Sequence, residues 1–459
     1  MRNTIIAIFF SCLCMGLSAQ TSFTVEEAIQ YAMQRSASLK LKQIDIEDAG
    51  YEINRLRSMG LPTVNGNVNY QYFPAVPAVP LEDFITPIVI GVLNNTVSQG
   101  MPIPFPEPQF FEFSFVTKNN LSGTLEANSL IFDGSFFAAL KAAKLYRTFV
   151  EEGVAITEQE IRINVTKAYL GVLILEKNKE TIAKNIKNLE RTYFEMSEMY
   201  KEGFIEKLDV QRIELTLSVL RSEAEKLIQV ENLSKNLLKF QMDYPLMEDI
   251  QLSEDLESSI ALAQIDEVNL EAGVDFNLRP EYRQIKKGLE LQEVNMERLK
   301  KTNWPSLSAF GSVGQSLQRN KLFDSDEGDW LPNAVVGLNL NIPIYDGGLR
   351  KAEIGQARLE NERVLIELEN FEKAVALQVQ NARIQFINAK TSVENAEFTL
   401  ALTEEIYKTT QIKFREGVGS SIESTQAEAS LFDAQSNYIS ALYDLLNAKT
   451  DLDIAMGKL

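Results

Sequence analysis

Residues 336–348 of this chain read VGLNLNIPIYDGG. The first half of the stretch alternates apolar residues with glycine and asparagine, and this period of two is typical of a β-strand with one apolar and one polar face. The second half, from Ile342 to Gly347, indicates a turn, and no proline follows Pro343 in the remaining chain. The stretch therefore predicts a strand that leads through a turn into a long helix.

The segment behind this turn has a helical pattern from Gly348 to Phe414, about 67 residues or roughly 100 Å of helix. Its apolar residues recur at spacings of three and four, which places them on one stripe: Val364, Leu368, Phe371, Val375, Val379, Ala382 and Phe386. The next segment keeps the strict alternation of a coiled-coil seam, at Leu431, Ala434, Tyr438, Ala441, Leu445, Ala448 and Leu452. Together they predict a helical hairpin, and this pattern alone fits an ordinary coiled coil as well as a tunnel wall.

The first half of the chain contains the same features in the same order. Each half has a break before a strand, a strand-to-helix turn and a helix end, at Gly60–Pro62, Phe132–Gly134 and Tyr200–Gly203, and again at Asn303–Pro305, Tyr345–Gly347 and Phe414–Gly417. Repetition of a whole unit predicts an internally duplicated fold with pseudo-symmetry.

The first half also carries an insertion, residues 73–110, which holds eight of the chain's 14 prolines. Because of these prolines, we expect an irregular loop on the side of the sheet opposite the helices. Its apolar stretch from Ile85 to Leu93 could fold over the mouth of a pore.

These features give the predicted domain organisation. Residues 1–19 form a signal peptide, 20–240 a first repeat, 241–279 a linker and 280–459 a second repeat. The first repeat has strands at about 63–73 and 121–132 and a helical hairpin at 134–240; the second has strands at about 306–317 and 333–345 and a hairpin at 347–457.

The four strand segments discriminate best between functions. Each is close to the 9–11 residues with which a tilted strand crosses a bilayer, and aromatic residues such as Tyr72, Trp304 and Trp330 lie near the segment ends, as in proteins with membrane interfaces. We therefore favour a membrane barrel over a half-buried soluble sheet. Four strands cannot enclose a water-filled lumen, so several chains must contribute, and three chains would supply twelve strands.

The N-terminus predicts export. Arg2 and an apolar run from Thr4 to Leu17 precede Ser18-Ala19-Gln20, which is typical of a signal peptide cleaved near Ala19. The two cysteines, Cys12 and Cys14, lie inside this segment, and neither follows the small-residue box of a lipid anchor.

Composition excludes several function classes. The chain has no histidine, and its mature part would have no cysteine, which removes thiol and histidine catalysis and almost all zinc sites. The net charge of −19 argues against nucleic-acid binding. We therefore predict no enzyme activity and no cofactor or metal.

From Ser22 to Leu459 the order and spacing of these motifs resemble the TolC-like outer-membrane efflux protein family. The resemblance rests on the turn at Pro343–Gly348, the long proline-free helix and the tip at Phe414–Gly417, all found in both halves. It implies a homotrimer in the outer membrane of a Gram-negative bacterium, with a twelve-stranded β-barrel in the lipid and a helical barrel in the periplasm. It also implies a periplasmic adaptor that links the duct to an inner-membrane pump.

The resemblance assigns roles to residues near the two helix ends. The adaptor-contacting positions of the family match Lys201 and Gly203 in the first hairpin and Arg415 and Gly417 in the second. The pore constriction of the family matches Asp209 and Glu423, while a second acidic position is occupied here by Gln426 and a basic position by Gly419. Glycine also ends helices, and acidic residues also stabilise the first turn of a helix. The family role and a structural role in the helix are therefore both expected at these positions.

The predicted function is an outer-membrane exit duct that passively conducts what a pump delivers. The alternatives are an exported structural coiled-coil protein and a type I protein-secretion duct. A periplasmic adaptor, which has a single coiled-coil hairpin, fits a chain with two repeated hairpins less well.

Overall fold

The computed structural model describes residues 22–97, 102–107, 109–256, 273–324, 326 and 328–458. The predicted signal peptide, residues 1–19, lies outside these ranges. The strands are β1 Ser22–Phe23, β2 Thr63–Tyr72, β3 Val79–Glu82, β4 Phe110–Phe113, β5 Asn119–Phe132, β6 Gln251–Leu252, β7 Ser306–Arg319 and β8 Leu331–Asn341. The helices are α1 Val25–Arg35, α2 Ala37–Ser58, α3 Ile85–Thr96, α4 Gly134–Lys201, α5 Lys207–Gln241, α6 Pro280–Lys301, α7 Leu349–Arg415 and α8 Ser421–Ala455.

Contacts divide the chain into two units. A helical unit comprises Met1–Gly50, Lys144–Glu293 and Leu359–Leu459, and a sheet-containing unit comprises Tyr51–Ala143 and Val294–Arg358. The predicted mixture of long helices and strands is confirmed. None of the helices in the described ranges is both long enough and apolar enough to cross a membrane.

The sheet is an antiparallel meander in the order β2-β5-β7-β8. Its register aligns apolar and small residues in one row, Val64, Ala127, Gly311 and Val336. Three residues further along β2, the row on the opposite face of the sheet consists of Asn67, Thr124, Gly314 and Asn333. Since successive side chains point to opposite faces, the sheet has one apolar and one largely polar face. Within the described residues, neither β2 nor β8 has a strand on its outer side.

Phe310 of β7 is a large apolar residue on the otherwise largely polar face of the sheet. It lies opposite Gly337 on β8, and its ring occupies the space that a side chain would take there, because a Cβ atom built on Gly337 would lie 2.5 Å from Cζ of Phe310. Phe310 therefore covers a glycine that has no side chain of its own to shield the backbone.

The insertion between β2 and β5 contains ordered elements where an irregular loop is expected. β3 and β4 form an antiparallel pair, and α3 follows β3 directly. The carboxylate of Asp83 accepts hydrogen bonds from the backbone N–H groups of Ile85 and Thr86, both at 3.0 Å, which satisfies two of the four free donors at the start of the helix. No side chain of α3 is buried. Residues 98–101 and 108 of the insertion lie outside the described ranges.

An aspartate organises each strand-to-helix turn. Asp133 accepts the backbone N–H of Ser135 at 2.7 Å, and Asp346 accepts that of Gly348 at 3.0 Å. β8 ends at Asn341, short of the predicted residue 345, because its partner β7 begins at Ser306, opposite Asn341, and because Pro343 has no N–H to donate to a ladder. Gly347 and Gly348, with φ values of 68° and 90°, belong to the turn that follows.

The helical unit buries the two stripes that define its hairpins. The α8 seam residues Leu431, Ala434, Ala441, Leu445 and Leu452 are buried in the unit. Ala441, Leu445 and Leu452 share a core with the buried part of the α7 stripe, Val375, Val379, Ala382 and Phe386, and with Ile161, Val165 and Val172 of α4. The heptad-like spacing therefore identifies the side chains that hold the helices together.

The short strand β1 is held against this core and paired with β6. The hydroxyl of Tyr169, which is fully buried, donates to the carbonyl of Phe23 at 2.8 Å, and β1 pairs in parallel with β6. β6 and a 3-10 turn at Phe276–Leu278 are the regular elements in the described part of the predicted linker, whose residues 257–272 lie outside the described ranges.

Arg279 caps the end of α8. Its Nη1 donates to the carbonyls of Ile454 and Ala455 at 3.1 and 3.3 Å, while Glu281 accepts from Nη2 at 3.1 Å. The side chain is buried, and a cation at a helix C-terminus opposes the negative end of the helix dipole.

We expect Arg279→Ala to destabilise the helical unit by about 2–4 kcal/mol, because it leaves buried carbonyls and Glu281 without their partner. Thermal unfolding followed by circular dichroism in detergent measures the effect. Arg363→Ala removes a comparable but exposed arginine–glutamate pair and should change the midpoint little. Equal midpoints for both variants would contradict a capping role for Arg279.

Candidate functional site

The two helical hairpins end in tips of the same geometry. In the first tip the N–H of Gly203 donates to Tyr200 and that of Phe204 to Met199, both at 2.9 Å. In the second, Gly417 donates to Phe414 at 3.1 Å and Val418 to Lys413 at 3.0 Å. With φ values of 82° and 73°, the two glycines adopt the left-handed conformation of a helix C-terminal cap, which explains the glycine at both positions.

The basic residues beside the glycines have different partners. Lys201 pairs with Glu198 on its own helix at 2.6 Å, and this hydrogen bond raises the pKa of the Lys201 ammonium. Arg415 of α7 instead lies 3.5 Å from Glu195 of α4. Arg415 therefore forms an ionic link between the second hairpin and the first.

Asp209 provides a second link between the hairpins. Its Oδ1 accepts a short hydrogen bond from the hydroxyl of Ser421, the first residue of α8, and Arg212 lies 3.8 Å away. The other carboxylate oxygen accepts from the backbone N–H of Glu206 at 3.2 Å. The aspartate side chain is only 19% exposed, so its charge is held between the first turns of the two return helices, α5 and α8.

Glu423 and Gln426 lie on the first turns of α8 with exposed side chains. The backbone N–H of Glu423 donates to the Ser420 hydroxyl at 3.2 Å, so Ser420 caps the helix and leaves the Glu423 carboxylate free for solvent or ions. An acidic residue here also stabilises the helix dipole. Neither Glu423 nor Gln426 takes part in the link that Asp209 makes.

Gly419 is the position where a basic residue was expected from the resemblance. Its N–H donates to Lys413 at 3.0 Å, and a Cβ atom built on it would lie 3.1 Å from both Cβ of Lys413 and the backbone nitrogen of Phe414. The tight packing of the second tip therefore favours glycine, and the inter-hairpin links use Arg415 and Ser421 instead.

A small apolar core supports the tips from within. Leu189 and Met196 of α4, Ile213 and Leu217 of α5 and Phe414 of α7 form one buried cluster. Because side chains from both hairpins contribute to it, the positions of Asp209 and Ser421 depend on this packing as well as on their own hydrogen bond.

Exposed apolar side chains surround the tip glycines. Phe204 and Val418, which directly follow the two glycines, are 76% and 78% exposed, and Leu208 and Ile422 are also exposed. The family resemblance assigns adaptor contact to the glycines and basic residues and does not point to these apolar side chains. An apolar residue directly after each tip glycine is nevertheless visible in the sequence.

The described residues contain no group of three or more acidic side chains placed to hold a metal ion. The tips thus offer glycine caps, two links between hairpins, a solvent-facing carboxylate and apolar side chains. Such an arrangement suits mechanical and ionic roles, in which helices separate or approach.

Comparison with protein families supports the resemblance seen in the sequence. Residues 278–458 match the family model described as "Outer membrane efflux protein". Alkaline protease secretion protein AprF of Pseudomonas aeruginosa is 20% identical over 344 residues, which cover 73% of this chain and 69% of that protein. Outer membrane protein TolC of Escherichia coli is 23% identical over 375 residues, which cover 75% of this chain and 71% of that protein.

Solved structures share the fold over almost the whole chain. A crystal structure of CusC superposes with a TM-score of 0.73 at 15% identity and covers 95% of this chain and 92% of that one. The CmeC outer membrane channel of Campylobacter jejuni gives a TM-score of 0.70 at 16% identity, with 95% and 85% coverage. The resemblance to the TolC-like outer-membrane efflux proteins is thereby confirmed, and the chain has the fold of these channels.

Proposed function

We propose that this chain, which shares the fold of the TolC-like outer-membrane efflux proteins, is the exit duct of a tripartite efflux or secretion system. Three copies form a twelve-stranded barrel in the outer membrane of a Gram-negative bacterium, and the long helices lie in the periplasm. The duct conducts passively, without an enzymatic step or a cofactor. The relative named for protease secretion and the family model described as an outer membrane efflux protein support this class of function.

The observation that carries the proposal is the four-stranded sheet. Its apolar face suits lipid and its polar face suits a water-filled lumen. In the bilayer core the free backbone groups along the outer edges of β2 and β8 would remain unsatisfied, because lipid offers no hydrogen-bonding partner. Pairing of β8 with β2 of the next copy satisfies both edges, and three copies give a ring wide enough for water.

The tips are proposed to be the regulated end of the duct. Asp209, Glu423 and Gln426 form the constriction, and a ring of carboxylates there attracts cations. Lys201, Gly203, Arg415 and Gly417 meet the periplasmic adaptor, to which the exposed Phe204 and Val418 add apolar contact area. The inner-membrane pump acts through this adaptor.

The alternative of an exported structural coiled coil accounts for the helical hairpins but gives no role to a sheet with an apolar face and two open edges. Small-molecule efflux and type I protein secretion both agree with the fold, since the outer membrane efflux family model and a protease secretion protein both match this chain. The proposed duct accepts the cargo that its pump supplies.

Closure of the barrel between copies can be tested with engineered disulfides, after Cys12 and Cys14 are replaced by serine. Asn67→Cys on β2 is combined in turn with Asn333→Cys, Val335→Cys or Asn339→Cys on β8, all on the polar face. We expect one combination to give covalent trimers on a non-reducing gel, because its two cysteines lie opposite each other across the joint between copies.

Single-cysteine variants serve as controls and should give no covalent trimer. The same preparation, reconstituted in a planar bilayer, should form steady cation-selective pores. Monomers with every cysteine pair, together with a water-soluble protein that does not conduct, would overturn the proposed duct.

A further inference from the structure

Glu428 of α8 is a buried carboxylate that none of the proposed gate contacts uses. Its side chain is 1% exposed. The Tyr407 hydroxyl is close enough to act on its carboxylate, but neither carboxylate oxygen makes a hydrogen bond of good geometry in the described part of the chain. It lies about two helical turns into α8, on the side of the helix that packs into the hairpin. A carboxyl group in such a place is far cheaper to bury as the neutral acid than as the anion.

The hairpin interior is polar in this region. Gln411 of α7 donates to the hydroxyl of Ser424 of α8 at 3.0 Å, and both side chains are buried. One helical turn further from the tip on each helix, Tyr407 faces Glu428. The apolar seam begins only at Leu431, so the end of the hairpin nearest the tip is held by two polar layers.

The charged groups around this layer are already engaged with one another. Arg191 and Arg415 act electrostatically on the Tyr407 phenol, and both pair with Glu195, at 3.9 and 3.5 Å. From α5, Asp209 is bound to Ser421. An ionised Glu428 would thus lie in a buried layer whose nearby cations are shared with another carboxylate.

Burial raises the pKa of Glu428 to about 7, and the nearby Tyr407 hydroxyl offsets only part of this shift. Burial and the neighbouring Glu428 in turn raise the pKa of Tyr407 to about 12, so the phenol stays neutral. A solvent-exposed glutamate ionises near pH 4.3. Between that value and about 7, ionisation favours any conformation in which Glu428 reaches water, so the packed hairpin is strongest in acid and weakens as the pH rises.

We propose that Glu428 is a proton-operated latch in the second hairpin: as a neutral acid it allows α7 and α8 to pack near the tip, and its ionisation loosens them. The latch itself concerns the hairpin alone. Its consequence, that the periplasmic end of the duct opens more readily at neutral than at acid pH, rests on the proposed function.

Hydrogen exchange of the assembled full-length protein in detergent tests the latch. The peptide covering residues 403–432 is followed from pH 5 to pH 8 and corrected for the intrinsic pH dependence of exchange. In the wild type we expect protection to fall by up to tenfold per pH unit between pH 5 and 7, and then to level off. Glu428→Gln, which mimics the neutral acid, should show high protection at every pH.

Glu405→Gln is the matched control, because it removes an exposed carboxylate from the same hairpin and should behave as the wild type. If Glu428→Gln does not assemble, Glu428→Leu serves the same purpose, since an apolar side chain also has no charge to bury. Protection that does not change with pH in the wild type would overturn the latch. Protection that falls with pH in the Glu428 variants as much as in the wild type would also overturn it.

Conductance separates the latch from the proposed function. In planar bilayers the open probability should rise with pH in the wild type and stay low in Glu428→Gln. A Glu428-dependent exchange profile in a protein that forms no pores would support the latch and contradict the duct. Pores whose pH response is the same in wild type and Glu428→Gln would overturn the coupling of the latch to the gate.

Discussion

Val336→Arg is expected to abolish assembly of the trimer in the outer membrane. Val336 lies in the middle of β8, is 91% exposed in the single chain and belongs to the apolar row with Val64, Ala127 and Gly311. An arginine on the lipid face near the bilayer midplane costs about 2–4 kcal/mol, so three copies cost about 6–12 kcal/mol. The fraction of protein recovered from outer membranes as a trimer measures the effect.

The neighbouring residue provides a matched control. Val335 has the same side chain but lies on the polar face, opposite Ser312. Val335→Arg should assemble normally, because the guanidinium would face water, and it should reduce the cation selectivity of the pore. If both variants assembled, or both failed, the assignment of the two faces to lipid and lumen would be wrong.

The sheet could be placed from the sequence because its two faces differ along the whole of each strand. The alternation between residues 63 and 72 gives the start of β2 and the side on which each residue lies. Pairing order is not contained in that alternation, and it follows from backbone hydrogen bonds that connect β5 to β7, almost 200 residues apart. The helix α3 was missed because the many prolines of the insertion, including Pro87 within Ile85–Leu93, indicated a loop, whereas Asp83 accepts the first two N–H groups of a helix there.

At the tips, too, the sequence identifies some residues but not the contacts that they make. The pattern of helix-ending glycines identifies Gly203 and Gly417, whereas Asp209 and Glu423 were identified only through the family resemblance, which places acidic residues six positions after each glycine. The partner of Asp209 could not be identified in this way, because Ser421 is 212 residues away and serine at the start of a helix is expected as an ordinary cap. Burial of Glu428 was also hidden, because a glutamate beside a seam of small residues usually lies on the solvent face.

Loss of the link between Asp209 and Ser421 should raise the single-channel conductance severalfold. A hydrogen bond to a partly buried carboxylate contributes about 1.5–3 kcal/mol, and each copy in a trimer holds its hairpins together with one such bond. Asp209→Ala and Ser421→Ala should raise the conductance to a similar extent, and the double variant should differ little from either, since both remove the same interaction. Asp209→Ala should in addition weaken block by divalent cations, because it removes a carboxylate of the proposed constriction. Glu214→Ala, which removes an exposed carboxylate from the same helix, should leave the conductance unchanged.

Glu423→Ala should act differently, because the Glu423 side chain is exposed and, within the described residues, is not part of the hydrogen bond that joins Asp209 to Ser421. Its removal takes one negative charge per copy from the constriction, so block by divalent cations should weaken while the link at Asp209 still holds the helices. Conductance and divalent block, measured on the same channels, therefore separate the two roles. If Glu423→Ala left divalent block unchanged, the carboxylate would be a helix-dipole residue only, and the closed end of the duct would depend on the bonds between hairpins rather than on a ring of charge.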